Sequence, residues 1–273
     1  MPTRRVNGVE LHYELTGSGL PLVLVHGSWG DHHNWDAVVP ALAQRFQVLT
    51  YDRRGHSASE RPTAQGSVFE DADDLLALIE STELAPAHVV GNSFGAVVVL
   101  RAATRDPARF RTVIVHEPPL FPLLAGTEFE PALGEIGRRI GAVRDLLEAG
   151  ESESGAQLFA DTVAFGPDAW EKQLTPQMRE TFITNAPTFL DELHDPDALD
   201  MDLDALGAVD RPVLATSGTA SAPFFGPVAD IVAAALPDAQ RRTIEGADHV
   251  PHIGMPERYV ELVSEFIGAR PAS

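Results

Sequence analysis

Ser93, in Gly91-Asn92-Ser93-Phe94-Gly95, is the residue whose type and surroundings best suit it to chemistry. An apolar run, Val89-Val90, leads into it, and the helix-compatible Ala96-Val97-Val98 follows at once. Strand, tight turn and helix, in that order, are the context in which G-x-S-x-G presents a serine nucleophile. The glycines at 91 and 95 have a steric reason, because strand and helix approach closely at such a turn. Ser93 would then be strained, with its hydroxyl projecting above the strand ends. The N–H of Phe94 would face the same space from a helix N-terminus, where negative charge is favoured. The chemistry this suits is attack of a hydroxyl on a carbonyl carbon.

The elements that must position this turn follow from the apolar pattern. Residues 3–6 and 9–14 flank Asn7-Gly8, a dipeptide suited to a two-residue hairpin turn. Residues 20–26, 46–51, 87–91, 111–116, 212–217 and 241–245 read as strands. Helical spacing covers 35–45, 68–82, 94–105, 227–236 and 256–268. Strands alternating with helices predict a mostly parallel, doubly wound sheet covered on both faces. Ligands of such sheets bind beyond the carboxyl ends of the strands. His26-Gly27, Tyr51-Asp52, Asn92-Ser93 and Glu117-Pro118-Pro119 all fall there. From 118 to 210 the strand rhythm stops, and 135–149, 154–165, 168–174 and 176–184 read as short helices over that rim.

Composition bounds the rest. With 273 residues the chain can hold one large α/β domain with an insertion, or two small domains. It contains no cysteine, which excludes disulfides and thiolate metal sites. A formal net charge of −20 argues against nucleic acid and anionic membrane surfaces as partners. The first residues lack the apolar core of a signal peptide, and no apolar run approaches membrane-spanning length, so a cytoplasmic protein is expected.

Taken in order, these segments resemble the α/β-hydrolase superfamily over essentially the whole chain. The matching residues are His26-Gly27-Ser28-Trp29-Gly30, Asp52-Arg53-Arg54-Gly55-His56-Ser57, Gly91-Asn92-Ser93-Phe94-Gly95 and Gly246-Ala247-Asp248-His249. The resemblance implies an eight-stranded type of sheet, with 1–117 and 211–273 as its core and 118–210 as a helical cap insertion. It implies His249 as the base for Ser93, and the backbone N–H groups of Ser28 and Phe94 as oxyanion donors. One such donor is typically worth about 10²–10³ in rate. His252 competes with His249, but the loop just after the last strand supplies the family's histidine. A metal reading of His249-Val250-Pro251-His252 needs further ligands on a helix face, and Pro251 works against a regular helix there. Neither metal nor cofactor is expected.

The acid departs from the commonest family pattern, an Asp after the strand that here is 212–217. The segment Ser217-Gly218-Thr219-Ala220-Ser221-Ala222-Pro223 holds no carboxylate, and Asp230 lies inside the following helix. Some haloalkane dehalogenases and lactone hydrolases of this architecture carry the acid one strand earlier. In this chain that place is Glu117, at a strand end before two prolines. Asp248 adjoins His249, and neighbouring side chains rarely point together. Trp29 reads as a substrate-pocket wall or as core packing, with the wall favoured; His26 is expected in a structural hydrogen bond, and His32 and His33 at the surface. Arg53 and Arg54 are expected to brace loops, with the pocket as a second position open to Arg53.

The resemblance implies a cap-bearing serine hydrolase acting on a carboxylic ester or lactone of small to medium, fairly apolar character. Relatives that displace carbon-bound leaving groups use Asp at the elbow, so Ser93 sets dehalogenase and epoxide chemistry aside. A carbon–carbon bond hydrolase of the same fold stays open. So does a catalytically weak ligand-binding relative, which the missing acid at 219–221 favours. The oligomeric state is open too, a homodimer included.

Overall fold

The computed structural model describes residues 2–269. Eight strands form one sheet: β1 (Thr3–Val6), β2 (Val9–Gly17), β3 (Leu20–Val25), β4 (Phe46–Tyr51), β5 (Ala87–Asn92), β6 (Phe110–His116), β7 (Val213–Gly218) and β8 (Ala239–Ile244). Their spatial order is β1-β2-β4-β3-β5-β6-β7-β8. β1 pairs antiparallel with β2, and β2 antiparallel with β4; every pairing from β4 to β8 is parallel. Asn7 (φ 43°) and Gly8 (φ 86°) form the tight hairpin turn that their types predict.

Alternation along the central strands divides the core. Val23, Val25, Val89, Val113 and Val115 face the helices Val68–Ser81, Phe94–Arg105 and Phe225–Ala235. Leu22, Leu24, Val90 and Ile114 face Trp35 and the helix Pro256–Gly268 through Tyr259, Val263 and Phe266. Successive residues of a strand point to opposite faces, so near-continuous apolar strands are what a sheet buried on both sides requires. From β3 the chain moves to one side (β4) and then returns to the other (β5). This switch point opens a crevice at the carboxyl ends of β3 and β5.

Between β6 and β7 the described residues form no strand. The helices Glu130–Glu148, Ser152–Phe159, Ala169–Lys172 and Pro176–His194 occupy the segment. They enclose a third apolar cluster that includes Val143, Ala156, Trp170, Phe182 and Phe189, with Trp29 of the sheet layer at its base. Among the described residues no helix is long and apolar enough to cross a membrane.

Two expected elements differ from this. Residues 35–45 form no single helix, only the turns His32–Trp35 and Val39–Leu42. Pro40 has no N–H to donate inside a longer helix but suits a first turn, where the second of these begins. The helix starting at Pro176 does not stop at 184; it runs through Pro187 to His194. Pro187 is exposed, and the packing of Phe182, Ala186 and Phe189 holds the helix together through it.

Candidate active site

The turn after β5 has the predicted geometry. Ser93 adopts φ 55°, ψ −126°, and its N–H donates to the His116 carbonyl at 2.9 Å. A non-glycine residue in this region is strained and persists only where its surroundings hold it. Gly91 and Gly95 make it possible. A Cβ on Gly91 would lie 2.5 Å from the Gly95 carbonyl oxygen, and one on Gly95 2.3 Å from that of Val25. Phe94 is the first residue of the following helix, and the N–H groups of Ala96 and Val97 donate to the Ser93 carbonyl. The Phe94 N–H therefore has no acceptor within its own helix and remains a donor toward the rim.

One strand away, Glu117 directly follows β6 with φ 49° and its carboxylate is completely buried. Its Oε1 accepts the Gly218 N–H at 2.7 Å, and its Oε2 meets His249 Nδ1 at 2.6 Å. Burial pushes the carboxyl up, but the His249 hydrogen bond, the His116 and His249 rings and the Gly218 N–H outweigh it. The group is held below the ordinary glutamate range. Phe225 stacks on the His249 ring at 4.6 Å, fixing its plane. Asn92 Nδ2 donates to the His249 carbonyl at 2.8 Å and anchors that loop beside the elbow.

His252 is elsewhere. It is buried against Trp35 and Tyr259, both ring nitrogens lack partners, and burial lowers it to about 3, with His116 and His249 adding to the fall. Asp248 caps its own turn by accepting the Val250 N–H. Thr219, in the segment without a carboxylate, accepts the Gly246 N–H instead.

Ser93 and His249 open onto one cavity of about 350 Å³, shared with Ser28, Asn92 and Phe94 and otherwise mostly apolar. The segment between β6 and β7 supplies Phe121, Phe159, Phe165, Phe182, Phe189 and Leu193, and Phe225 and Ile253 come from beyond it. No direct hydrogen bond joins Ser93 Oγ to His249 among the described residues. Such contacts are often long before substrate arrives.

Trp29 is not on the wall. It is fully buried behind Phe159, Phe182 and Phe189, 4.7–5.7 Å between ring centres, and these rings line the cavity in its place. His32 is not at the surface either. Its N–H and its Nδ1 both bond Asp52 Oδ1, at 2.8 and 2.6 Å, which draws the ring inward. His33 remains exposed. His26 is structural as expected: Nε2 accepts the Arg53 N–H, and burial followed by the Arg53 charge lowers it to about 3.

Arg53 braces more than its own loop. Its guanidinium bonds Asp71 (3.1 Å), the Gly27 carbonyl (3.4 Å) and Glu192 (2.6 Å), and lies 4.9 Å over the Phe94 ring. Glu192 also accepts the Ser28 hydroxyl at 2.5 Å. Asn185 Nδ2 donates to the carbonyls of Trp29 and Gly30, while Asn185 Oδ1 accepts the Ser57 N–H. Thr188 bonds His56. None of the sequence motifs points to Asn185, Thr188 or Glu192. Their i, i+3, i+7 spacing is the available signal: a polar stripe on the buried face of an otherwise apolar helix.

Two groups of described residues could hold a cation: His12, Glu14 and His32, and Asp31, His32 and Asp52. Neither contains Ser93, His249 or His252.

Comparison with known proteins places the chain in context. Residues 22–262 match the family described as the alpha/beta hydrolase family. An uncharacterized hydrolase, YraK, of Bacillus subtilis is 40% identical over 132 residues, 48% of this chain and 49% of that protein. The chain thus spans about half the length of this relative, and 26% and 43% of two other curated ones. An alpha/beta hydrolase from Sphaerobacter thermophilus superposes with a TM-score of 0.78 at 25% identity, covering 97% of this chain and all of that one. The enol-lactonase of Burkholderia xenovorans shares the fold at a TM-score of 0.81 and 23% identity, covering 98% and 100%.

Proposed function

The chain belongs to the alpha/beta hydrolase family, and on that premise we propose that it is a serine hydrolase that cleaves a carboxylic ester or lactone through an acyl-enzyme on Ser93. His249 takes the Ser93 proton as the hydroxyl attacks the carbonyl carbon. The N–H groups of Ser28 and Phe94 hold the resulting oxyanion. His249 then protonates the departing alcohol, and a water that it activates hydrolyses the acyl-enzyme. Glu117 keeps the His249 proton on Nδ1, leaving Nε2 basic, and stabilises the imidazolium once it forms.

The observation that carries this reading is the 2.6 Å contact between Glu117 and His249 Nδ1. It offers the acid that the stretch 219–221 lacks, which favours an active serine hydrolase over a weak, ligand-binding relative. The helices between β6 and β7 act as the cap that excludes water, and the aromatic lining suits a fairly apolar acyl or alcohol group.

The test is labelling by a fluorophosphonate together with turnover of p-nitrophenyl esters of rising chain length, a lactone and a vinylogous diketone. Labelling at Ser93 and ester or lactone turnover, both lost in Ser93→Ala and His249→Ala, are expected. Turnover confined to the diketone would replace this reading by carbon–carbon bond hydrolysis.

A further inference from the structure

The charged side chains that line the Ser93 cavity are carboxylates, accompanied by two histidines. They are Asp31, Asp36 and Glu192, with His33 and His249; no lysine or arginine lines it among the described residues. Glu192 is the one of these carboxylates that bonds Ser28. Its side chain is 9% exposed and it holds the hydroxyl of Ser28, which shares the cavity with Ser93.

The nearest cation, Arg53, lies behind the wall. Its side chain has no exposed surface, and its Nη atoms are engaged by Asp71, Gly27, His56 and Glu192. Two carboxylates share that one guanidinium, so the cluster presents no net positive charge to the cavity. An anionic substrate entering here would lose its hydration without gaining a counter-charge, and would face Glu192 across a low-dielectric space.

We propose that the cavity selects uncharged substrates and turns away carboxylate-bearing ones, and that Glu192 enforces the choice. This rests on the reading of the cavity as the substrate site. Glu192 does so as a positioning and specificity residue: it orients Ser28 while placing a negative group beside the acyl chain. Like charges juxtaposed in a site discriminate strongly between otherwise matched ligands.

The experiment compares two esters of equal length, p-nitrophenyl methyl glutarate and p-nitrophenyl hemiglutarate, which differ in one negative charge. In the wild-type enzyme kcat/KM for the hemiglutarate should be lower by about 100-fold or more. Glu192→Gln keeps the shape and an acceptor for Ser28 Oγ, and should narrow that ratio by about 10-fold or more, whatever it does to the absolute rates. A wild-type ratio near one, or a ratio unchanged in Glu192→Gln, overturns the proposal. Calorimetric binding of the two esters to Ser93→Ala reads the same selection without turnover. Tighter binding of the methyl ester there supports charge selection even if the wild-type protein cleaves neither ester, an outcome that would sink the ester reading alone. Equal or reversed binding overturns charge selection.

Discussion

The Glu117 carboxylate meets Nδ1 of His249 at 2.6 Å across 132 residues of chain. The two sit on loops after different strands, β6 and β8, and β7 lies between those strands in the sheet. β7 contributes the N–H of its last residue, Gly218, which donates to the other Glu117 oxygen. An acid placed one strand early thus reaches the histidine over a neighbour that offers a backbone donor in place of a carboxylate.

Replacing Glu117 by Gln keeps the shape and removes the charge. The Nδ1 proton then loses its acceptor preference and the imidazolium its counter-charge. We expect kcat on p-nitrophenyl butyrate to fall by roughly 10³–10⁴ with a smaller change in KM. Steady-state kinetics checks this, and a variant within a few fold of wild type would remove Glu117 from the acid's role.

The two nearby histidines should separate cleanly. His249→Ala should reduce turnover to the level of Ser93→Ala, because members of such a unit fail together. His252→Phe should keep kcat within about threefold and hold or raise the melting temperature, since it replaces unpartnered buried nitrogens with a ring that can still pack on Trp35 and Tyr259. Parallel rate and melting measurements on both variants decide the assignment.

The elbow leaves no room for a methyl group. Gly95→Ala would set a Cβ 2.3 Å from the Val25 carbonyl oxygen and 2.4 Å from that of His26, and should cost about 3 kcal/mol or more. Gly137, in the helix Glu130–Glu148, faces open space: a Cβ there would meet no atom within 4 Å. Gly137→Ala should therefore be neutral or stabilise by up to about 1 kcal/mol. Urea unfolding of the two alanine variants gives the contrast directly.

Asp71, the second carboxylate on Arg53, is pushed up to about 7: burial raises it against the pull of Arg53, and Asp74 and Glu192 add to the rise. An acid raised on folding binds its proton more tightly when folded. Its contribution to stability is full below the unfolded value of about 4 and is lost as pH rises through about 7. The melting temperature of wild type relative to Asp71→Asn should accordingly fall between about pH 4.5 and 7, then level off. A difference that stays flat over that range would show that Asp71 does not hold its proton.

Local chemistry alone determined much of this protein. Gly91 and Gly95 around Ser93 demanded a close strand–helix turn, Asn7-Gly8 a hairpin, and runs such as Val89-Val90 a sheet buried on both faces. With no carboxylate after Ser217, it was the resemblance to the α/β-hydrolase superfamily, some of whose members carry the acid one strand earlier, that implied Glu117. The elbow, the hairpin and the buried strands each rest on a few adjacent residues and on sterics or hydrogen bonding that do not depend on distant partners.

Other features are decided only when remote segments meet. Trp29 is behind the wall because Phe159, Phe182 and Phe189 of the inserted helices close over it. His32 turns inward because Asp52, twenty residues away, takes both its N–H and its ring. The helix from Pro176 outlasts Pro187 because its apolar face is packed, and only that extra length carries Glu192 to Ser28 and Arg53. Burial and long-range pairing set these outcomes, and neither is written in the spacing of neighbouring residues.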